Sequence, residues 1–211
     1  MKASLTALAA ALLIAACPLA QAASSVDLAV TGSITPSACT PSISSNGLVD
    51  YGKISFQDLH PTKLTFLPKT VLKLAVDCEG ASLFGLASMD NRLVSSDNSV
   101  FYVLGLIEPR KWIGAYLLSL ENILTDDPSA IAIQSRDNGA DWYPYSVGEY
   151  WANNIMTAFG RTLAGQLAPT PIKTASMDLV VEPYIHGQDM FPVMDAAIPL
   201  DGSATLELRY L

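Results

Sequence analysis

An all-β sandwich is the fold class this sequence predicts, on three observations. Several segments alternate apolar and polar residues with a period of two, the repeat of a strand with one buried face. Clusters rich in Asp, Asn, Gly and Pro punctuate them at fairly even spacing. No long stretch carries the 3.6-residue repeat of an amphipathic helix. With 211 residues, 50% of them hydrophobic and 15% charged, the chain can build a full core in one domain. No internal repeat or low-complexity linker divides it.

Residues 1–22 read as an export signal. Lys2 supplies the positive start, Leu5 to Ala16 the apolar stretch, and Ala20-Gln21-Ala22 a small-x-small cleavage site. Ile14-Ala15-Ala16-Cys17 also resembles a lipoprotein cleavage box, which would leave a lipid on Cys17. Pro18 and the site at Ala22 favour removal of Cys17 with the signal. No later run stays apolar for the roughly 18 residues a membrane helix needs, so an exported chain without a transmembrane segment is expected. The net charge of −8 becomes more negative when Lys2 is lost, and an acidic surface is a poor match for nucleic acid or anionic membrane.

The next segment, residues 23–35, alternates most strictly. Val26, Leu28, Val30 and Ile34 share one face of an extended strand, with Gly32 in place of a side chain. This is either the first strand of the sandwich or a strand made to be donated to another molecule. The sandwich itself is expected over residues 36–211. Pro36 and Pro41 flank Cys39 and end the first strand, and Ser44-Ser45-Asn46-Gly47 forms a turn. Leu48 to Phe56 reads as a short strand with a glycine kink, and His60 to Lys69 as a loop. In Thr70 to Cys78 the residues Leu72, Leu74, Val76 and Cys78 line one face. Further strands are expected at 82–88, 99–107, 111–120, 130–135, 155–159, 176–182 and 204–211. Leu117 to Leu124 could also form a helical turn, while 142–151 and 160–171 look irregular.

Once Cys17 is removed, Cys39 and Cys78 remain. Two cysteines in an oxidising compartment are expected to form a disulfide, closing a loop of about 40 residues. Two cysteines and two distant histidines, His60 and His186, make a poor metal site. No serine elbow, H-E-x-x-H or phosphate loop occurs, so neither an enzyme nor a cofactor is expected. Asp137-Asn138-Gly139-Ala140-Asp141 lacks the full spacing and closing glutamate of a calcium loop. The aromatic cluster holding Trp142, Tyr143 and Trp151 is the candidate ligand site. Exposed rings there would stack on sugars, whereas rings packed over the end of the sandwich would be structural.

Both ends of the chain resemble a known family. An alternating segment with Gly32 seven residues before Cys39 is similar to the N-terminal extension of chaperone–usher pilins. Cys78 stands where those pilins place their second cysteine, and Asp50-Tyr51-Gly52 resembles their short D-x-G strand. Ala204 to Leu211, with alternating apolars and a penultimate Tyr210, looks like their terminal strand. The nearest look is to an uncharacterised group of proteobacterial fimbrial-like proteins carrying a domain of unknown function. The interval 91–174 matches no pilin signature, and the mature chain is longer than a typical major pilin. The resemblance implies an immunoglobulin-like, pilin-type sandwich with one disulfide and without its last strand. It implies a subunit of a fimbria or related surface assembly, delivered from the periplasm by a chaperone and an outer-membrane usher. In that scheme Val26, Leu28, Val30, Gly32 and Ile34 form the donor strand, and Leu206, Leu208 and Tyr210 line the acceptor groove. The extra length could instead supply a strand that completes the sandwich within one chain. A monomeric binding module, carbohydrate-binding or adhesin-like, is the alternative.

Overall fold

The computed structural model describes residues 28–31, 38–92, 99–108, 111–192 and 196–211. Residues 28–31 belong to a separate unit, have no regular secondary structure, and leave Leu28 and Val30 88% and 89% exposed. Of the donor segment, Val26, Gly32 and Ile34 lie outside the described residues.

In the unit 36–211 the strands are β1 (Cys39–Ile43), β2 (Thr65–Phe66), β3 (Thr70–Ser82), β4 (Phe84–Asp90), β5 (Tyr102–Val103), β6 (Leu106–Glu108) and β7 (Lys111–Trp112). They are followed by β8 (Gly114–Thr125), β9 (Ile131–Ser135), β10 (Tyr143–Pro144), β11 (Met156–Leu163), β12 (Gln166–Pro169), β13 (Ile172–Ile185) and β14 (Ala204–Tyr210). One sheet has the order β1-β3-β13-β8-β5, with β2 also pairing β13. The other runs β10-β9-β11-β4-β14, with β12 pairing β11. The pairings are antiparallel, and the two large sheets enclose one main core: an all-β sandwich.

The alternation in β3 is what puts it there. Leu72, Leu74, Val76 and Cys78 face the core and are buried, while Val71, Lys73 and Asp77 face out. Strand β13 is central in its sheet, and its inward residues Met177, Leu179, Val181 and Ile185 are buried. Cys39 stands directly opposite Cys78 in the β1–β3 register, and the two form the expected disulfide.

Three local expectations change. Residues 48–55 form no strand: the Asp50 carboxylate accepts the Gly52 N–H at 2.8 Å, and Gly52 turns the chain with φ +61°. The D-x-G segment is therefore a turn, anchored where the Tyr51 hydroxyl donates to the Pro68 carbonyl at 2.9 Å. Residues 117–124 are strand, within β8. The 160–171 interval holds most of a hairpin, β11–β12, turned by Ala164 (φ 50°) and Gly165 (φ 85°). Non-glycine residues rarely adopt a left-handed backbone, so Ala164 gives no turn signal in sequence.

The additional strands β9 to β12 lie on the β11 side of the second sheet. They extend it away from β14 rather than adding a strand beyond it. Among the described residues no helix is long and apolar enough to cross a membrane.

Candidate functional site

Strand β14 is an edge strand with an unusual distribution of groups. Its register with β4 runs from Ala204↔Asp90 to Tyr210↔Phe84. The Asn91 N–H donates to the Ser203 carbonyl at 2.9 Å, and the Leu211 N–H to the Leu83 carbonyl at 3.1 Å. In an antiparallel pair, successive residues direct their N–H and C=O to opposite sides. The odd-numbered residues of β14 therefore bond to β4. Ala204, Leu206, Leu208 and Tyr210 turn their backbone groups the other way, where no strand pairs with β14 among the described residues. The side chains of Ala204, Leu206 and Leu208 are half-buried against the core, while Tyr210 is 53% exposed. The four residues thus combine unpaired backbone groups with an apolar row facing the gap between the sheets.

Across that gap lies β1, the edge strand of the other sheet. The Glu79 N–H donates to the Ala38 carbonyl at 2.9 Å, so residues 38, 40 and 42 face β3, and Cys39, Pro41 and Ile43 face away from it. Pro41 has no N–H to offer. The Cys39 N–H donates to the Tyr210 hydroxyl at 2.8 Å, a link between the two edges. Strand β1 is therefore a blunted edge, and β14 is the one able to pair with an incoming strand.

The aromatic cluster divides. Trp151 is fully buried: its indole N–H donates to the Ile155 carbonyl at 3.0 Å, and its own carbonyl accepts from the Tyr102 hydroxyl at 3.0 Å. This corrects its candidacy for ligand stacking, because a Trp that meets both its hydrogen-bonding and packing needs in the core presents no face to a ligand. Tyr102 also shares a 2.6 Å hydrogen bond with Ser88, and burial pushes its phenol well above the usual range. Tyr145 is also buried; its hydroxyl accepts the Leu120 N–H at 2.9 Å, and burial pushes it up to about 12. Tyr143 is exposed. Trp142 is half-buried and lines a cleft with Arg209 and Tyr210, at the end of β14.

His60 caps its own turn, its Nδ1 accepting the Thr62 and Lys63 N–H groups at 3.1 and 3.0 Å. His186 packs edge-on to Tyr184. Among the described residues no three His, Cys, Asp or Glu gather as a metal site would require. The sequence signal missed Ala204 as part of the edge row, although the alternation continues through it. It also missed Arg209 and Asn138 beside Trp142, which only the fold brings together.

Residues 28–107 match the family described as "Protein of unknown function (DUF1120)". The chain is similar to "Protein GltF" of Escherichia coli strain K12, 26% identical over 224 residues, with 88% of each chain covered. It is also similar to "Uncharacterized protein YhcF" of the same strain, 25% identical over 230 residues, covering 91% of this chain and 93% of that one. None of these descriptions names an activity, a ligand or a partner.

Proposed function

We propose that this protein is a structural subunit of a fimbria or related surface assembly, joined to its neighbours by strand addition at the outer edge of β14. The supporting observation is topological. The order β1-β3-β13-β8 corresponds to strands A-B-E-D of an immunoglobulin-type sandwich, and β4-β14 to C-F. In that architecture strand G pairs with F, at the outer edge of β14. Four successive edge-facing residues there carry both backbone groups and an inward apolar row, a template for β-augmentation.

The alternating segment 26–34 supplies a fitting occupant. Val26, Leu28, Val30 and Ile34 would lay their side chains over the core beside Leu206 and Leu208, and Gly32 would pass where a side chain does not fit. Burying four aliphatic side chains is worth roughly 6–12 kcal/mol before ordering costs. Donor on one subunit and acceptor on the next make a head-to-tail contact, which propagates as a filament. Before assembly, a periplasmic chaperone covers the same edge, and an outer-membrane usher exports the subunit.

Hydrogen exchange along β14 tests this. In the isolated subunit the amides of Leu206 and Leu208 exchange fast, while those of Thr205 and Glu207 are protected by β4. Adding a peptide of residues 23–35 is expected to protect Leu206 and Leu208 and leave Thr205 and Glu207 unchanged. Even exchange along the strand, untouched by the peptide, would overturn the reading. A monomeric binding module is the second reading, favoured by the cleft beside Trp142.

A further inference from the structure

The outer face of the second sheet carries a cleft of about 500 Å³, between the loop after β9 and the end of β14. It is open to solvent rather than enclosed, a groove against which a ligand lies with one face. The lining combines an indole, a guanidinium, a carboxamide and an apolar floor: Trp142, Arg209, Asn138 and the buried Met156. These residues come from β11, from β14 and from the loop between β9 and β10.

The loop is held in place by its own hydrogen bonds. The buried Ser135 hydroxyl donates to Asp137 Oδ1 at 2.7 Å and accepts the Gly139 N–H at 2.7 Å. Asp137 Oδ1 also accepts the Asp141 N–H at 3.0 Å. That bond, with the one from Ser135, holds the carboxyl below the usual carboxylate range. Gly139 has φ +95°, and a Cβ there would stand 3.4 Å from the Trp142 ring. A side chain at position 139 would press on the indole, so the glycine leaves Trp142 its place in a loop braced by its own hydrogen bonds.

Arg209 Nε and Nη2 both donate to Glu207 Oε2, at 2.8 and 2.6 Å. The two side chains are 40% and 50% exposed, so the pair is a solvated one: Arg209 stays charged, with the Glu207 carboxylate beside it to oppose an anionic ligand. Arg209 Nη1 remains directed at Asn138 Oδ1, only 3.4 Å away and weakly held. What is left is a flat apolar ring face beside the planar donors of Arg209 and the carboxamide of Asn138. A pyranose ring has the matching chemistry, with C–H groups on one face and hydroxyls around the rim.

We propose that this cleft binds a neutral saccharide, with the sugar ring stacked on Trp142 and its hydroxyls held by Arg209 and Asn138. Tyr210 lines both this cleft and the outer edge of β14, so the saccharide site is tested on the unassembled subunit.

The test is calorimetric titration of the full mature chain with a panel of neutral hexose and N-acetylhexosamine oligosaccharides, plus uronic-acid oligosaccharides. At least one neutral saccharide is expected to bind. Trp142→Ala should weaken it about tenfold or more, and Val71→Ala, an exposed residue of β3 in the other sheet, should leave it unchanged. If Trp142→Ala does not fold, Arg209→Gln reads the same site and is expected to weaken binding as well. No binding by any neutral member, binding by the acidic members alone, or equal binding by the Trp142 and Arg209 variants would each overturn the proposal.

Discussion

Val30→Asp is expected to abolish assembly while leaving the folded subunit intact. In the strand-addition account, Val30 enters the gap beside Leu206 and Leu208 of the next subunit. Losing a buried Val forfeits about 1.5–3 kcal/mol of apolar burial, and placing a carboxylate there adds an uncompensated desolvation cost. Together these weaken the joint by about a thousandfold or more. In the subunit's own structure Val30 is 89% exposed, so the substitution removes no contact of the core. Ile34→Asp should behave in the same way. Circular dichroism and thermal melting of the purified monomers are expected to match the wild type, with polymers missing from the surface fraction. Normal polymers from either variant would show that this segment does not make the joint.

Removing the disulfide is expected to cost more stability than any other covalent change open to the chain. Cys39 and Cys78 are 39 positions apart, and closing a loop of that size contributes about 4 kcal/mol in the chain-entropy model. That is a large share of the roughly 5–15 kcal/mol that hold a domain together. The loss should fall first on β1. It is five residues long, has one strand partner, and contains a proline on its outward edge. The double variant Cys39→Ala with Cys78→Ala should unfold at a much lower denaturant midpoint. Its β1 amides should exchange before those of β3 and β13. An unchanged midpoint would mean that the bridge is incidental to stability. Detachment of β1 would also release the Cys39 N–H from Tyr210 and widen the gap beside Leu206 and Leu208.

Much of this architecture was legible because the core strands obey the two-residue repeat. Leu72 to Cys78 announces β3 and its buried face, and Ala204 to Tyr210 announces β14. With Cys17 assigned to the expected export signal, two cysteines remain, and the pairing of Cys39 with Cys78 follows from that. The misreadings have local causes. The 48–56 stretch has apolar residues, but Asp50 turns its own backbone and breaks the extension. The β11–β12 hairpin turns on Ala164-Gly165, and Ala164 carries no turn signal beside the lone glycine. Trp151 stands in sequence between ligand stacking and packing over the end of the sandwich, and packing holds: its polar N–H is met by Ile155 and the ring is core. That β14 is an edge strand cannot be read from its pattern, because edge position is a property of sheet order. The cleft was legible only at Trp142, since Arg209 and Asn138 reach it through sheet pairing across distant parts of the chain.

The most direct test of the central claim is a denaturing gel of periplasmic and cell-surface fractions, run with and without boiling. A joint built from a full strand ladder and four buried aliphatic side chains should resist detergent until heated. The account predicts a ladder in the unboiled lane that collapses to a single band on boiling, and no ladder for Val30→Asp. A single monomer band in both lanes for the wild type would contradict it.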